Sequence, residues 1–163
     1  MSRLDSFIRR MTAQRALLDW AAAEVAGRPG LVLEIGLGNG RTFDHLREKL
    51  PGRAIYAFDR ADHAHPASKP AGEWLVLGEF ADSLPAFAQA HPAEAVLVHY
   101  DAGLGDAEAN RQQVALMSRL LPGLAMAGAI LLSDQPLEHP ALLPRQPPVD
   151  IPKQRYFIYD KMG

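Results

Sequence analysis

The chain has 163 residues and a net charge of −2, and its apolar and charged contents are those of an ordinary globular protein with one core. The balanced charge gives no electrostatic footprint for nucleic acid or for an anionic membrane. Cysteine is absent, which excludes disulfides, thiolate metal sites and cysteine nucleophiles, and without a signal-peptide-like or membrane-spanning run we expect a cytoplasmic protein of one domain, residues 1–163.

An N-terminal helix is predicted within residues 1–27, because apolar side chains recur there at seven-residue spacing until a Gly-Arg-Pro-Gly segment ends the pattern. Gln14 and Arg15 interrupt the apolar stripe. Two interpretations are open at this point. Either Arg15 extends its charged end into solvent, or both side chains point into a ligand site, where Arg15 would pair with an acidic group.

Residues 31–42, LVLEIGLGNGRT, predict a buried strand, a glycine turn and the first residues of a helix. Glycines allow the backbone to turn sharply and to approach a ligand closely, and a carboxylate just ahead of them can accept hydrogen bonds from that ligand. The dinucleotide pattern G-x-G-x-x-G would need a third glycine where the chain has Arg41. A tight turn without a ligand is the other alternative.

The acid and the three alternating glycines resemble motif I of the class I S-adenosylmethionine-dependent methyltransferases, which Glu34, Gly36, Gly38 and Gly40 match at all four marked positions. The resemblance implies an α/β fold of Rossmann-like type, with a doubly wound, mostly parallel sheet and helices on both faces. It implies S-adenosyl-L-methionine as the cofactor, whose methionine carboxylate is then a partner for Arg15. The remaining loop residues are candidates for the same site: Leu37, Asn39 and Thr42.

A second strand over 54–58 ends in Asp59, at the edge of the sheet where doubly wound folds bind ligands. Methyltransferases of this class hold the cofactor ribose with an acid at this point, so the resemblance assigns Asp59 to the ribose and Arg60 to its surroundings. A dinucleotide fold would use such an acid similarly. Residues 60–73 predict a loop or a single turn, and the H-x-H pair there has no third ligand, so we predict no metal site.

A third strand over 74–77 leads into Gly78, Glu79 and Phe80, before a helix that we expect Asp82 or Ser83 to cap. The family often has an acid here that contacts the adenine amino group, beside an amide that contacts the ring. The resemblance therefore adds Gly78, Glu79 and Phe80 to the cofactor site. A solvated loop acid is the alternative for Glu79.

A fourth strand over 95–100 ends in Asp101, and the segment 101–105, DAGLG, resembles motif IV of the same family. Asp101 is placed to receive the methionine amino group, to position a substrate or to act as a base, whereas His99 is interpreted as a packed, hydrogen-bonded side chain. A helix follows, which Pro122 is expected to end, and then a fifth strand over 129–132. The candidate bases are Asp101, Tyr100 and Asp134.

A magnesium site of the catechol-methyltransferase type is not predicted, because Gln135 stands where that subset has asparagine and the loop after Asp101 has no lysine. Residues 136–163 predict a proline-rich arm and a last strand over 154–160, so we expect the C-terminal part of the fold to be reduced. We predict a methyltransferase for a small-molecule acceptor, forming a homo-oligomer. The alternatives are a non-catalytic S-adenosylmethionine-binding protein and a nicotinamide-dependent oxidoreductase.

Overall fold

Seven strands form one sheet in the computed structural model, which describes residues 2–151 and 156–163. In chain order they are β1 (Leu31–Ile35), β2 (Ile55–Asp59), β3 (Leu75–Leu77), β4 (Ala95–Tyr100), β5 (Ala125–Ser133), β6 (Leu142–Arg145) and β7 (Phe157–Lys161). Their order across the sheet is β3-β2-β1-β4-β5-β7-β6. Strands β1 to β5 are parallel, and β7 is antiparallel to both of its neighbours. This is the doubly wound, mostly parallel sheet that the sequence predicts.

Four helices cover the two faces of the sheet: α1 (Arg3–Val25), α2 (Arg41–Lys49), α3 (Phe80–Ala90) and α4 (Ala107–Leu124). Helices α1 and α2 pack on one face, and α3 and α4 contribute to the apolar core on the other. Between β2 and β3 the chain makes only two short turns of 3₁₀ helix, Pro66–Ser68 and Gly72–Trp74, as the lack of periodicity there predicts. None of the helices in the described part of the chain is long and apolar enough to cross a lipid bilayer.

Alternation along β1 sets which side chains reach the α1 face. Val32 packs with α1 and α2, whereas Leu33 and Ile35 belong to the core under α3 and α4. Glu34 has the same parity as Val32, so its carboxylate enters the α1 face, where it is completely buried. A charged side chain is thereby committed to the interior at the carboxyl end of the central strand.

Two helix boundaries differ from the prediction. Helix α3 begins at Phe80, with Glu79 at its N-cap position, so Asp82 and Ser83 lie inside it rather than capping it. Helix α4 continues through Pro122 to Leu124, because Leu121, Pro122 and Leu124 are all buried against the sheet. Apolar packing of this last turn outweighs the backbone hydrogen bond that the proline cannot make.

The C-terminal part contains two strands where the sequence predicts an arm and one strand. The additional strand, β6, pairs with β7 at the edge of the sheet and carries Pro144, a position that a sheet edge tolerates because one side of the strand donates no ladder bonds. No helix lies between β5 and β6. Strand β7 begins at Phe157, and Gln154 and Arg155, the start of the predicted last strand, lie outside the described residues.

The Arg53 side chain caps the C-terminal end of α1. Its guanidinium donates to the carbonyl oxygens of Val25 and Ala26 at 3.0 and 3.1 Å, and to those of Arg28 and Gly30 at 2.6 and 2.9 Å. The last turn of α1 has no basic residue of its own. Arg53 therefore supplies both the missing donors and the positive charge that the carbonyl end of a helix favours.

Replacing Arg53 with alanine should lower the free energy of unfolding by about 2–3 kcal/mol, because several bonds from one charged donor are lost together. Arg53→Lys should restore only part of this, since a single ammonium cannot serve four diverging carbonyls. Urea denaturation gives the comparison. Arg111→Ala is the control, because its ion pair with Glu108 is exposed and should contribute less than about 0.5 kcal/mol. Equal effects of Arg53→Ala and Arg111→Ala would contradict the anchoring role.

Candidate functional site

A cleft opens at the carboxyl ends of β1, β2, β4 and β5, and consists of two adjoining cavities of about 240 and 250 Å³. Both are lined by Gly36, Gly38, Asp101 and Gly103. The remaining residues of the first cavity come from β2, α3, α4 and the loop after β4: Asp59, Arg60, Phe80, Ala102, Leu104 and Gln113. Those of the second come from α1, the glycine loop, α2 and the loop after β5: Arg10, Met11, Gln14, Leu37, Asn39, Arg41, Thr42 and Asp134.

The glycines between β1 and α2 serve different purposes. Gly36, Gly38 and Gly40 all have positive φ, at 94°, 50° and 86°. A Cβ atom on Gly36 would overlap the backbone of Asp101, so this glycine permits close packing of the two loops. A Cβ atom on Gly38 would meet nothing within 4 Å. The backbone at Gly38 therefore faces open space in the cleft.

Asp59 ends β2 and faces the first cavity. Its Oδ2 accepts a hydrogen bond from the Gly38 amide at 2.8 Å, and its Oδ1 accepts one from the Arg60 amide at 2.7 Å. Each oxygen retains a second lone pair that can accept from a ligand. The Arg60 side chain extends along the rim, where it pairs with Glu79 at 3.1 Å and donates to Gln113 at 3.3 Å.

Glu34 lies beneath the glycine loop and is absent from the cleft lining. One carboxylate oxygen accepts from the hydroxyl of Thr42, and the other is 2.8 Å from Nδ1 of His99 on the neighbouring strand. Both Glu34 and His99 are fully buried. Burial alone would lower the pKa of His99, but the facing Glu34 carboxylate, together with Asp101 and Asp134, outweighs burial and the pKa is raised. Both carboxylate oxygens of Glu34 are thus satisfied inside the protein, which confirms a packed role for His99.

Asp101 and Asp134 form a carboxyl pair at the second cavity. Oδ2 of Asp101 accepts hydrogen bonds from the amide nitrogen of Gln14 and, at 2.9 Å, from the hydroxyl of Tyr156. Burial and the negative charge of Asp101 raise the pKa of Asp134 to about 7. Oδ1 of Asp134 is buried and has no hydrogen-bond partner among the described residues.

Six predicted site residues do not line either cavity: Glu34, Gly40, Gly78, Glu79, Tyr100 and Arg15. Tyr100 faces the core under α3 and α4, and its hydroxyl accepts from Gln113 at 3.1 Å, so it does not reach the cleft. Arg15 is exposed and lines a separate cavity of about 160 Å³ between α1 and α2. The Glu79 side chain is exposed on the rim. Gly78 supports the cleft only through its amide, which donates to the carbonyl oxygen of Asp59.

Sequence reasoning missed Arg10, Met11, Gln113 and Tyr156, which the structure brings to the cleft or to its carboxyl pair. Met11 belongs to the apolar stripe of α1, and apolar stripes are ordinarily core. Gln113 gives a clearer signal, because it lies four residues before Met117 on the buried side of α4, where a polar residue needs a partner. No group of three potential metal ligands occurs within residues 2–151 and 156–163.

Comparison with known proteins identifies the family. A family model described as S-adenosyl-L-methionine methyltransferase matches residues 1–161. A crystal structure from Silicibacter pomeroyi DSS-3, described as an S-adenosyl-L-methionine methyl transferase, is 41% identical and superposes with a TM-score of 0.92 over 99% of both chains. No curated protein matches this sequence.

More distant structures share the fold. The O-methyltransferase TomG from Streptomyces achromogenes is 14% identical, with a TM-score of 0.65 over 92% of this chain and 79% of that one. The 1,6-didemethyltoxoflavin-N1-methyltransferase from Burkholderia thailandensis is 17% identical, with a TM-score of 0.59 over 93% of this chain and 79% of that one.

The chain therefore belongs to the S-adenosyl-L-methionine methyltransferase family, as the motif at residues 34–40 predicts. It is an enzyme whose methyl donor is S-adenosyl-L-methionine. This result sets aside the nicotinamide-dependent oxidoreductase that the glycine loop alone left open.

The raised pKa of Asp134 predicts a pH-dependent stability. Folded protein binds more protons at Asp134 than unfolded protein between about pH 4 and pH 7, so this group makes the fold less stable as the pH rises across that range. Asp134→Asn removes the effect. We expect Tm of the variant, relative to wild type, to be roughly 5 °C higher at pH 8 than at pH 4.5.

Differential scanning calorimetry at the two pH values measures this shift. Asp62→Asn is the control, because Asp62 lies on the surface beside Lys69 and its pKa is lowered rather than raised. The control should show no gain at pH 8. A Tm difference between wild type and Asp134→Asn that does not change with pH would show that Asp134 is not protonated in the folded state.

Proposed function

We propose that S-adenosyl-L-methionine binds across both cavities, with its adenosine part in the first and its methionine part in the second. One observation carries this proposal: Asp59, Phe80 and the open face of Gly38 meet in a single cavity at the end of β2. The Asp59 carboxylate fits the two ribose hydroxyls, and the Phe80 ring fits the adenine. Arg60 and Glu79 form the rim of this cavity.

The methionine part fits the chemistry of the second cavity. Arg10, which lines it from α1, suits the methionine carboxylate, and Asp101 suits the ammonium group. The walls are completed by residues of the glycine loop and the first turn of α2: Gly36, Leu37, Asn39 and Thr42. Arg15 lies further out on α1, so Arg10 takes the role that the sequence assigns to Arg15. Gly40 and Glu34 support this loop from behind.

S-adenosyl-L-methionine supplies a sulfonium methyl group that is already activated, so the protein mainly has to align the acceptor and exclude water. A base is needed where the acceptor keeps its proton at neutral pH. Asp134 fits this role, because it lines the second cavity and its pKa of about 7 lies close to neutral pH. Asp101 is less suitable, because its Oδ2 accepts from Gln14 and Tyr156 and its carboxylate is assigned to the ammonium group, and Tyr100 faces away from the cleft.

The acceptor in this proposal is a small molecule. The second cavity measures about 250 Å³, and the methionine moiety would fill part of it, which leaves room beside Asp134 for the reacting group of a small acceptor. The net charge of −2 gives no basic surface of the kind that nucleic acid binding requires.

We also propose that the protein forms a homo-oligomer through the first half of α1. Leu4, Phe7 and Ile8 lie on one stripe of this helix and are 65%, 49% and 53% exposed. The stripe continues to Met11, which lines the second cavity. A second subunit packed there would cover apolar surface and restrict access of water to the cleft.

Asp59→Ala should weaken binding of S-adenosyl-L-methionine by roughly 10- to 100-fold, since hydrogen bonds to a charged group are lost. Isothermal titration calorimetry with S-adenosyl-L-methionine, S-adenosyl-L-homocysteine and NAD provides the measurement, and only the first two ligands should bind. Asp62→Ala, on the nearby surface loop, is the matched control and should bind like wild type. Unchanged affinity in Asp59→Ala would remove the proposed binding mode.

Ile8→Glu should convert an oligomer into a monomer, because a charge in an apolar contact would have to be buried without a partner. Light scattering coupled to size-exclusion chromatography reports the mass. Leu143→Glu is the control, since Leu143 is equally exposed, at 53%, but lies on β6 and is not part of the Leu4, Phe7 and Ile8 stripe. A wild-type protein that elutes as a clean monomer would overturn the oligomer.

A further inference from the structure

A polar cluster lies between α1 and the sheet and forms one wall of the second cavity, which Gln14, Asp101 and Asp134 line. It consists of Gln14 from α1, His99 and Asp101 from β4 and its end, Asp134 after β5, and Tyr156 just before β7. Gln14 and Tyr156 are 5% and 4% exposed, in positions where apolar side chains would serve the core. Buried polar side chains are stable only when they are hydrogen-bonded. The hydrogen-bond partners of Gln14 and Tyr156 therefore indicate the role of these two residues.

Both buried residues act on the same atom. The side-chain amide of Gln14 and the hydroxyl of Tyr156 both donate to Oδ2 of Asp101, and Gln14 also contacts the Tyr156 hydroxyl. The Tyr156 ring stacks on His99, with 6.2 Å between ring centroids and 15° between planes. Donors that converge on a carboxyl oxygen favour its charged form.

Asp134 has a different environment. Its Oδ2 has Gln135 as a donor at 3.4 Å, a long hydrogen bond, and its Oδ1 has no partner among the described residues. The charged groups that act on it are Asp101 and, from inside the sheet, His99, which is paired with Glu34; Arg10 is the cation on the α1 side, beside Tyr156. Asp101 therefore receives stronger hydrogen-bond donors than Asp134 does.

We propose that Gln14 and Tyr156 are positioning residues that hold Asp101 as the carboxylate of the pair, so that the proton exchanged with the acceptor is carried by Asp134. This inference rests on the methyltransferase function proposed above. The acceptor's O–H or N–H bond breaks, its proton moves to the carboxylate of Asp134, and the bonding electrons stay on the acceptor atom. Asp101 keeps its charge throughout and does not compete for that proton.

The inference predicts where the proton resides, and this can be measured without any acceptor. Protein labelled with ¹³C at the aspartate carboxyl carbon is titrated from pH 4 to pH 9 by NMR, and Asp101→Asn and Asp134→Asn assign the two signals. In wild type, the Asp134 signal should carry the titration step near pH 7, and the Asp101 signal should move little in that step.

In the double variant Gln14→Leu/Tyr156→Phe, the carboxyl signals of Asp101 and Asp134 should both shift in the titration step near pH 7. The ratio of the two singly protonated forms should change at least about tenfold, because hydrogen bonds to a charged oxygen are lost. Tyr156→Phe alone should give a smaller change in the same direction and keeps the ring that stacks on His99. Tyr159→Phe is the matched control. It removes another buried hydroxyl, which accepts from the Leu137 amide on the opposite face of the sheet, and it should leave the wild-type pattern unchanged.

The proposal would be overturned if Tyr156→Phe and the double variant keep the wild-type circular dichroism and the wild-type distribution of the proton between Asp101 and Asp134. Gln14 and Tyr156 would then contribute only to packing. A wild-type step carried by Asp101 would overturn it as well. Calorimetry with S-adenosyl-L-methionine on wild type is run in parallel. Absence of binding would contradict the proposed function, whereas the location of the proton is read from the ligand-free protein and is judged separately.

Discussion

The buried pair of Glu34 and His99 is the interaction on which the cleft depends. The two residues lie opposite each other on adjacent parallel strands, both are fully buried, and their side chains meet at 2.8 Å. The second oxygen of Glu34 accepts from Thr42 in the first turn of α2. Loss of one partner would leave a charge in the interior, at a cost of roughly 3–5 kcal/mol. The pair thereby holds the strand before the glycine loop and the helix after it in fixed positions. These positions in turn determine the conformation of the loop between them.

Three of the four acids at the ends of the central strands show how strongly the surroundings of a carboxyl group differ within one cleft. Glu34 is enclosed and paired, so it organises the protein rather than contacting a ligand. Asp59 is partly open and retains lone pairs for a ligand. Asp134 is partly buried beside another acid, and this arrangement favours its protonated form. Residue type alone does not separate these roles; the position of each acid relative to the sheet does.

The sequence was sufficient for the parallel strands and for the acids at their ends, because a short apolar run that stops at an acid is a local signal and doubly wound sheets bring such ends together. It was insufficient where tertiary packing decides. Pro122 stays within α4 because its turn is buried, and β6 exists because β7 offers it an edge. The residues around Tyr100 do not indicate which face of the sheet its side chain lies on. The contact between Tyr156 and Asp101 joins residues 55 positions apart, so it cannot be predicted from local sequence.

The contact between Gln14 and Tyr156 joins residues 142 positions apart, so the cleft draws on segments near both ends of the chain. During synthesis the parallel strands β1 to β5 emerge before residue 156, and with them the glycine loop and Asp59. Asp101 acquires its second donor only after β7 has emerged. A nascent or C-terminally shortened chain would therefore lack one of the two hydrogen-bond donors that distinguish Asp101 from Asp134. In the order of translation, the residues proposed to bind the cofactor would therefore be complete before Tyr156, which is proposed to keep Asp101 charged.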